Sequence, residues 1–84
     1  MKKVVIKSEH GIHARPASQI VNYAQSSSCE IIFIKDDNRF NAKSIMNIMG
    51  MGLKKGDEIF IEVTGEEKES VEEALLKLIE SINA

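Results

Sequence analysis

The stretch from Glu58 to Thr64 limits the fold more than any other part of the chain. Ile59, Ile61 and Val63 alternate with Glu58, Phe60 and Glu62, and this period of two sets three β-branched side chains on one face of a strand. A strand with one apolar face needs strands beside it and a second layer over that face. Two further segments can supply the neighbours. Residues 2–8 alternate loosely, with Val4 and Ile6 against Lys3 and Lys7, before Ser8-Glu9-His10-Gly11 breaks the pattern. Glu30 to Lys35 carries the run Ile31-Ile32-Phe33-Ile34, which reads as a well-buried strand. Asp36-Asp37-Asn38 is turn chemistry, so Arg39 to Ala42 is read as the returning strand of a hairpin.

The covering layer is helical. From about Ala14 to Ser26 the apolar residues Ala17, Ile20, Val21 and Ala24 recur at helical spacing, and Ser26-Ser27-Ser28 ends the segment. Ser44 is a suitable N-cap for a short helix through Ile45, Met46, Ile48 and Met49, after which Gly50 and Gly52 release the chain. Gly65 stops the alternating strand, Glu66-Glu67 favours a helix start, and Val71, Ala74, Leu75, Leu78 and Ile82 form the stripe of a last helix. The order strand, helix, strand, strand, short helix, strand, helix predicts an α+β open-faced two-layer sandwich with a split β-α-β arrangement. The pattern alone leaves the strand order open. With 84 residues, the whole chain (1–84) is expected to be one domain.

Composition excludes several functions. A net charge of −2, one Tyr, three Phe and no Trp supply neither a basic stripe nor aromatic platforms, so a nucleic-acid-binding sheet is not expected. Lys2-Lys3 precedes only Val4-Val5-Ile6 before Lys7, too little for a signal peptide. No apolar run approaches the ~20 residues of a membrane span, so no membrane insertion and a cytoplasmic location are expected. Cys29 has no second cysteine to pair with and reads as a small apolar residue at the head of a strand. Gly50-x-Gly52 lacks the strand and spacing of a dinucleotide-binding loop.

One stretch carries chemistry: Gly11-Ile12-His13-Ala14-Arg15-Pro16-Ala17. Proline suits the first turn of a helix, so a helix is predicted to start near Pro16, with His13 just before it and Arg15 at its mouth. Ala14, at the expected cap position, cannot accept a hydrogen bond from the free N–H groups of that turn. Each residue alone has an ordinary explanation. Together, a nucleophilic imidazole, a guanidinium and an uncapped helix start make a place to hold a phosphate. His10 lies close enough to suggest a two-histidine metal site with His13, but no further ligand is near in sequence. No metal or cofactor is expected.

The stretch resembles the active-site motif of HPr, the histidine-containing phosphocarrier of the phosphoenolpyruvate-dependent sugar phosphotransferase system. Asn41-Ala42-Lys43-Ser44-Ile45-Met46 resembles the regulatory serine segment of the same family. Lys55-Gly56-Asp57-Glu58-Ile59 and Gly65-Glu66-Glu67 provide a third, weaker match, so the resemblance runs the length of the chain. It implies a four-stranded antiparallel sheet in order 1-4-2-3 with three helices on one face. By the same resemblance, His13 accepts phosphate on Nδ1 from enzyme I and passes it to IIA domains of sugar permeases. Arg15 stabilises that phosphate, Pro16 sets the helix start, and the Arg15 and Ala17 amides help to position it.

Phosphoryl transfer suits such a site, since it needs an in-line nucleophile and surrounding positive groups and little else. The resemblance therefore implies a phosphocarrier rather than an enzyme, acting as a monomer. It further implies that an HPr kinase/phosphorylase phosphorylates Ser44 and that the product acts on a catabolite control regulator. Ser18, Gln19, Ile45, Met46 and Met49 are the expected partner surface, methionine being adaptable towards several partners. The alternatives are a paralogue with a mainly regulatory role, which His13 argues against, and a nitrogen-branch carrier. Glu9-His10 and Met49-Gly50-Met51-Gly52 depart from the commoner family residues.

Overall fold

Strand β4 (Glu58–Thr64) lies inside the sheet, as its alternation requires. In the computed structural model, which describes residues 1–83, it pairs antiparallel with β1 (Lys2–Val5) on one side and β2 (Glu30–Lys35) on the other. β3 (Asn38–Asn41) pairs with β2 and completes the order β1-β4-β2-β3. Helices α1 (Ala14–Gln25), α2 (Ile45–Gly50) and α3 (Lys68–Asn83) cover one face, so the chain is an open-faced α+β sandwich.

Register explains the core. Val63 sits opposite Ile31, Ile61 opposite Phe33 and Ile59 opposite Val4, which places this apolar set under the helices. Against it pack Ala17, Ile20, Val21 and Ala24 of α1, all predicted, with Ile48 of α2 and Val71, Leu75 and Ile79 of α3. The open face carries Phe60, 43% exposed, and the surface pairs Lys3–Glu58 at 3.4 Å and Arg39–Glu62 at 2.6 Å. Asp36 and Asp37 have φ of 51° and 67°, the two left-handed residues of a type I′ turn, whose twist matches that of the strands it joins.

Several expectations need correcting. β1 ends at Val5 rather than near Ser8, because the next residue bonds to a distant loop instead of a strand. The Ile6 N–H donates to the Asp57 carbonyl at 2.8 Å and the Ile6 carbonyl accepts from Gly56 at 2.7 Å. Asn38 belongs to the returning strand, since it closes the two-residue turn opposite Lys35. In α3 the fully buried side is Val71, Leu75 and Ile79, while Ala74, Leu78 and Ile82 are half-buried. Cys29 is buried at the head of β2 as expected.

Candidate functional site

The loop before α1 is pinned to the body of the protein from several directions. The Ile12 N–H donates to the Leu53 carbonyl at 3.1 Å, and both side chains are buried. Gly11, with φ of +66°, passes so close to that segment that a Cβ would sit 2.2 Å from the Leu53 oxygen. No other residue type fits there. On the far side, the Asn83 Oδ1 accepts from the Lys7 and Ser8 N–H groups at 2.9 and 3.2 Å, and its Nδ2 donates to the Val5 carbonyl at 3.1 Å. The end of the last helix thus clasps the start of the chain. Nothing local in the sequence signals this clasp, because its partners are at opposite ends of the chain.

The loop delivers His13 to the start of α1. His13 is itself the N-cap, with extended φ and ψ of −114° and −161°, and its ring makes no capping bond. The helix therefore begins at Ala14, two residues ahead of Pro16, and the cap is His13 rather than Ala14. With His13 as cap, as with alanine, the helix start has no side-chain cap, and its first turn holds no acidic residue. The first helical bond runs from the Ala17 N–H to the His13 carbonyl at 2.9 Å. The Ala17 amide is therefore engaged, and since proline has no N–H, the donors at this end left without a partner among the described residues belong to Ala14 and Arg15. Ala17 is fully buried, whereas His13 and Arg15 are exposed.

Around this helix end lies a shallow depression lined by Ser8, His13, Ala14, Arg15, Pro16, Gln19 and Ile82. Ile82 comes from the end of α3, and nothing in the sequence near His13 signals it as a neighbour. Among the described residues Arg15 makes no ion pair, which leaves its guanidinium available to an anion. A second depression, between the start of β1 and α3, mixes the carboxylates of Glu62, Glu69, Glu72 and Glu73 with the cations of Lys2 and Lys68. Among the described residues no group of three or more His, Cys, Asp or Glu could hold a metal ion. The His10 and His13 rings lie edge-on with centroids 6.4 Å apart.

Two further elements carry the predicted regulatory and partner residues. Ser44 caps α2, accepting from the Asn47 N–H at 3.2 Å and the Asn47 Nδ2 at 3.1 Å. The segment before it is tied to the end of α1, through the Gln25 Nε2 to the Lys43 carbonyl at 2.9 Å and the Lys43 Nζ to the Ser27 carbonyl at 2.7 Å. In α2, Ile48 is buried while Ile45, Met46 and Met49 are 40%, 79% and 44% exposed. Ser18 and Gln19 are exposed on α1, which packs against α2. The loop that follows α2 is held by Asp57. Its carboxylate pairs with Lys35 at 3.0 Å and accepts from the Lys54 N–H at 3.0 Å, and the Lys35 Nζ also reaches the Met51 carbonyl at 3.2 Å.

A family model described as the phosphorylation site of the HPr component of the phosphotransferase system matches residues 1–81. The chain belongs to the HPr family. It is 41% identical over 69 residues to the phosphocarrier protein HPr of Lysinibacillus sphaericus, covering 82% of this chain and 78% of that one. It is also 37% identical over 79 residues to the HPr-like protein Crh of Halalkalibacterium halodurans, covering 94% of each. Among solved structures, the histidine-containing phosphocarrier protein of a Mycoplasma superposes with a TM-score of 0.92 at 33% identity, over 98% of this chain and 93% of its own. The HPr fold expected from the resemblance is the fold observed, including its strand order. No helix among the described residues is long and apolar enough to cross a membrane.

Proposed function

We propose that this HPr-family chain carries a phosphoryl group on His13, received from phosphorylated enzyme I and passed to IIA domains of sugar permeases. The observation that carries the reading is the helix start, where an exposed imidazole stands at an N-terminus without a side-chain cap, and an arginine two residues on makes no ion pair among the described residues. In each transfer the Nδ1 lone pair of His13 attacks phosphorus as the donor's N–P bond breaks, and the departing electron pair returns to the donor's ring nitrogen. The attack uses the unprotonated form of the imidazole, whose Nδ1 then carries a free lone pair. Arg15 and the free Ala14 and Arg15 amides face the developing charge on the phosphoryl oxygens. Pro16 fixes the turn that aims them, and Ala17 is small enough to bring it against the core. The group passes on unchanged, so the chain acts as a stoichiometric carrier and not as an enzyme, as one domain and one copy, in the cytoplasm.

The exposed cluster Ile45, Met46 and Met49, with Ser18 and Gln19, is the proposed docking surface for enzyme I and IIA domains. Ser44 is the proposed target of an HPr kinase/phosphorylase, and the phosphorylated form the species that binds a catabolite control regulator. A phosphate there would sit at the start of α2, beside this cluster, and so change docking. The likeness to a Crh protein makes a mainly regulatory role the second reading, and the presence of His13 favours the first. Intact mass after incubation with enzyme I, magnesium and phosphoenolpyruvate tests the two. The expected result is one acid-labile phosphate that His13→Ala abolishes while the variant stays folded. Uptake retained in that variant overturns the assignment of His13. No uptake with several active enzyme I preparations favours the regulatory role.

A further inference from the structure

The turn before α1 places a second imidazole, His10, beside His13, just outside the residues that line the depression at the helix start. The Gly11 N–H donates to the Ser8 carbonyl at 3.0 Å, closing a turn with Glu9 and His10 at its tip. This turn is held on every side: by the Asn83 clasp at Lys7 and Ser8, by Glu9 on Lys55 at 2.7 Å, and by Gly11 and Ile12 against Leu53. His10 is exposed, so its ring adds nothing to the core. What it does instead is stand beside His13, with ring centroids 6.4 Å apart and planes at 72°. That gap is too wide for the rings to hydrogen-bond directly. It is wide enough to admit an oxygen of a group attached to one of them.

We propose that His10 is a phosphoryl-contacting residue, which donates a ring N–H hydrogen bond to an oxygen of the phosphoryl group on His13. The inference rests on the carrier reading given above. An imidazole always retains at least one N–H, so the donor exists whatever its charge. A phosphoryl group offers three strongly accepting oxygens, more than Arg15 and two amides exhaust. The neighbouring charges are Arg15, which acts in the same sense, and Glu9, which Lys55 holds. The contact favours the phosphorylated state of this chain over its free state and so sets how strongly it retains the group against other carriers.

The test is a competition. Phosphorylated native chain is mixed with an equal amount of His10→Ala, His10→Phe or His10→Asn and a trace of enzyme I, and the phosphate on each species is read by intact mass at equilibrium. All three changes lie at an exposed turn tip and leave the core untouched. The expected result is that Ala and Phe hold about five- to tenfold less phosphate than the native chain, as for loss of one exposed charge-assisted hydrogen bond. Asn, which keeps an N–H donor, is expected to stay near the native share. A native share for Phe would mean that the ring edge and not the N–H matters, and equal shares for all three would mean no contact; either result overturns the proposal while leaving the carrier reading intact. A native chain that takes up no phosphate at all defeats both, and is told apart by the first step of the same experiment.

Discussion

Gly11→Ala and Gly50→Ala make the same chemical change and are expected to act with opposite signs. At Gly11 the new methyl meets backbone, 2.2 Å from the Leu53 oxygen and 2.7 Å from the Lys54 Cα, and backbone cannot rotate away. The left-handed φ of +66° adds roughly 1 kcal/mol for any residue with a Cβ. Relieving the clash separates the loop from Leu53, which removes the Ile12-to-Leu53 hydrogen bond, about 1 kcal/mol. It also loosens two buried side chains, Ile12 and Leu53, of which even a partial loss costs about 1 kcal/mol more. The sum is about 3 kcal/mol, a large share of the ~5–15 kcal/mol that holds a typical domain together. For a domain of this size that lowers Tm by about 12–24 °C. At Gly50, the last residue of α2, nothing lies within 4 Å of the added methyl and φ is not positive. There the smaller entropy of the unfolded chain stabilises by about 0.5 kcal/mol. Urea melts followed by circular dichroism, with m-values compared, read both. A Gly11→Ala variant within 1 kcal/mol of the native chain would falsify the close approach to Leu53 on which the pinning of the site depends.

The other expectations are briefer. Asn83→Ala removes three partly exposed hydrogen bonds and is expected to cost about 1–2 kcal/mol, with faster amide exchange at Lys7 and Ser8; unchanged exchange there would contradict the clasp. Ser44→Ala is expected to cost about 1 kcal/mol through loss of the α2 cap, measured by the same melts, while leaving phosphate uptake at His13 intact. The Asp57 carboxyl is held below the usual carboxylate range, first by the Lys54 N–H and then by Lys35, against the opposing effect of burial. A lowered folded value means that its contribution is complete above the unfolded value near ~3.9 and fades as pH falls through the folded one. The stability gap between the native chain and Asp57→Asn is therefore expected to be flat from pH 7 to about 5 and to narrow in stronger acid; a gap that widens there would refute the assignment.

What the sequence made legible was what is local. β4 and β2 fall where the alternation and the apolar run put them, and the buried stripe of α1 is the predicted one, because period and burial are properties of consecutive residues. The loss of legibility begins where a distant partner decides. β1 stops at Val5 because Ile6 finds Asp57 and Gly56, and the buried side of α3 centres on Ile79 because of how that helix lies on the sheet. Proline's own preference points to a helix start near Pro16, yet proline is tolerated anywhere in the first turn, and the extended backbone of His13 makes it the cap. Ile82 and Asn83 reach the His13 loop from the far end of the chain, and no spacing in the sequence foretells that.

The same division runs through the candidate site. The residues proposed to meet phosphate, His10, His13 and Arg15, are near neighbours in sequence and exposed, which is why a short motif could point to most of them. The groups that hold them in place, Leu53, Asn83 and the Asp57 loop, are scattered and engaged with backbone. Chemistry and support are thus borne by different residues. Substitutions in the first set are expected to change phosphate retention at nearly constant stability, and substitutions in the second to lower stability and, with it, the fraction of molecules able to react. Support acts on the chemistry only by fixing where the loop lies. A variant of Asn83 that kept both its stability and the amide protection of Lys7 and Ser8, yet lost uptake, would therefore place Asn83 itself among the groups that meet the phosphate.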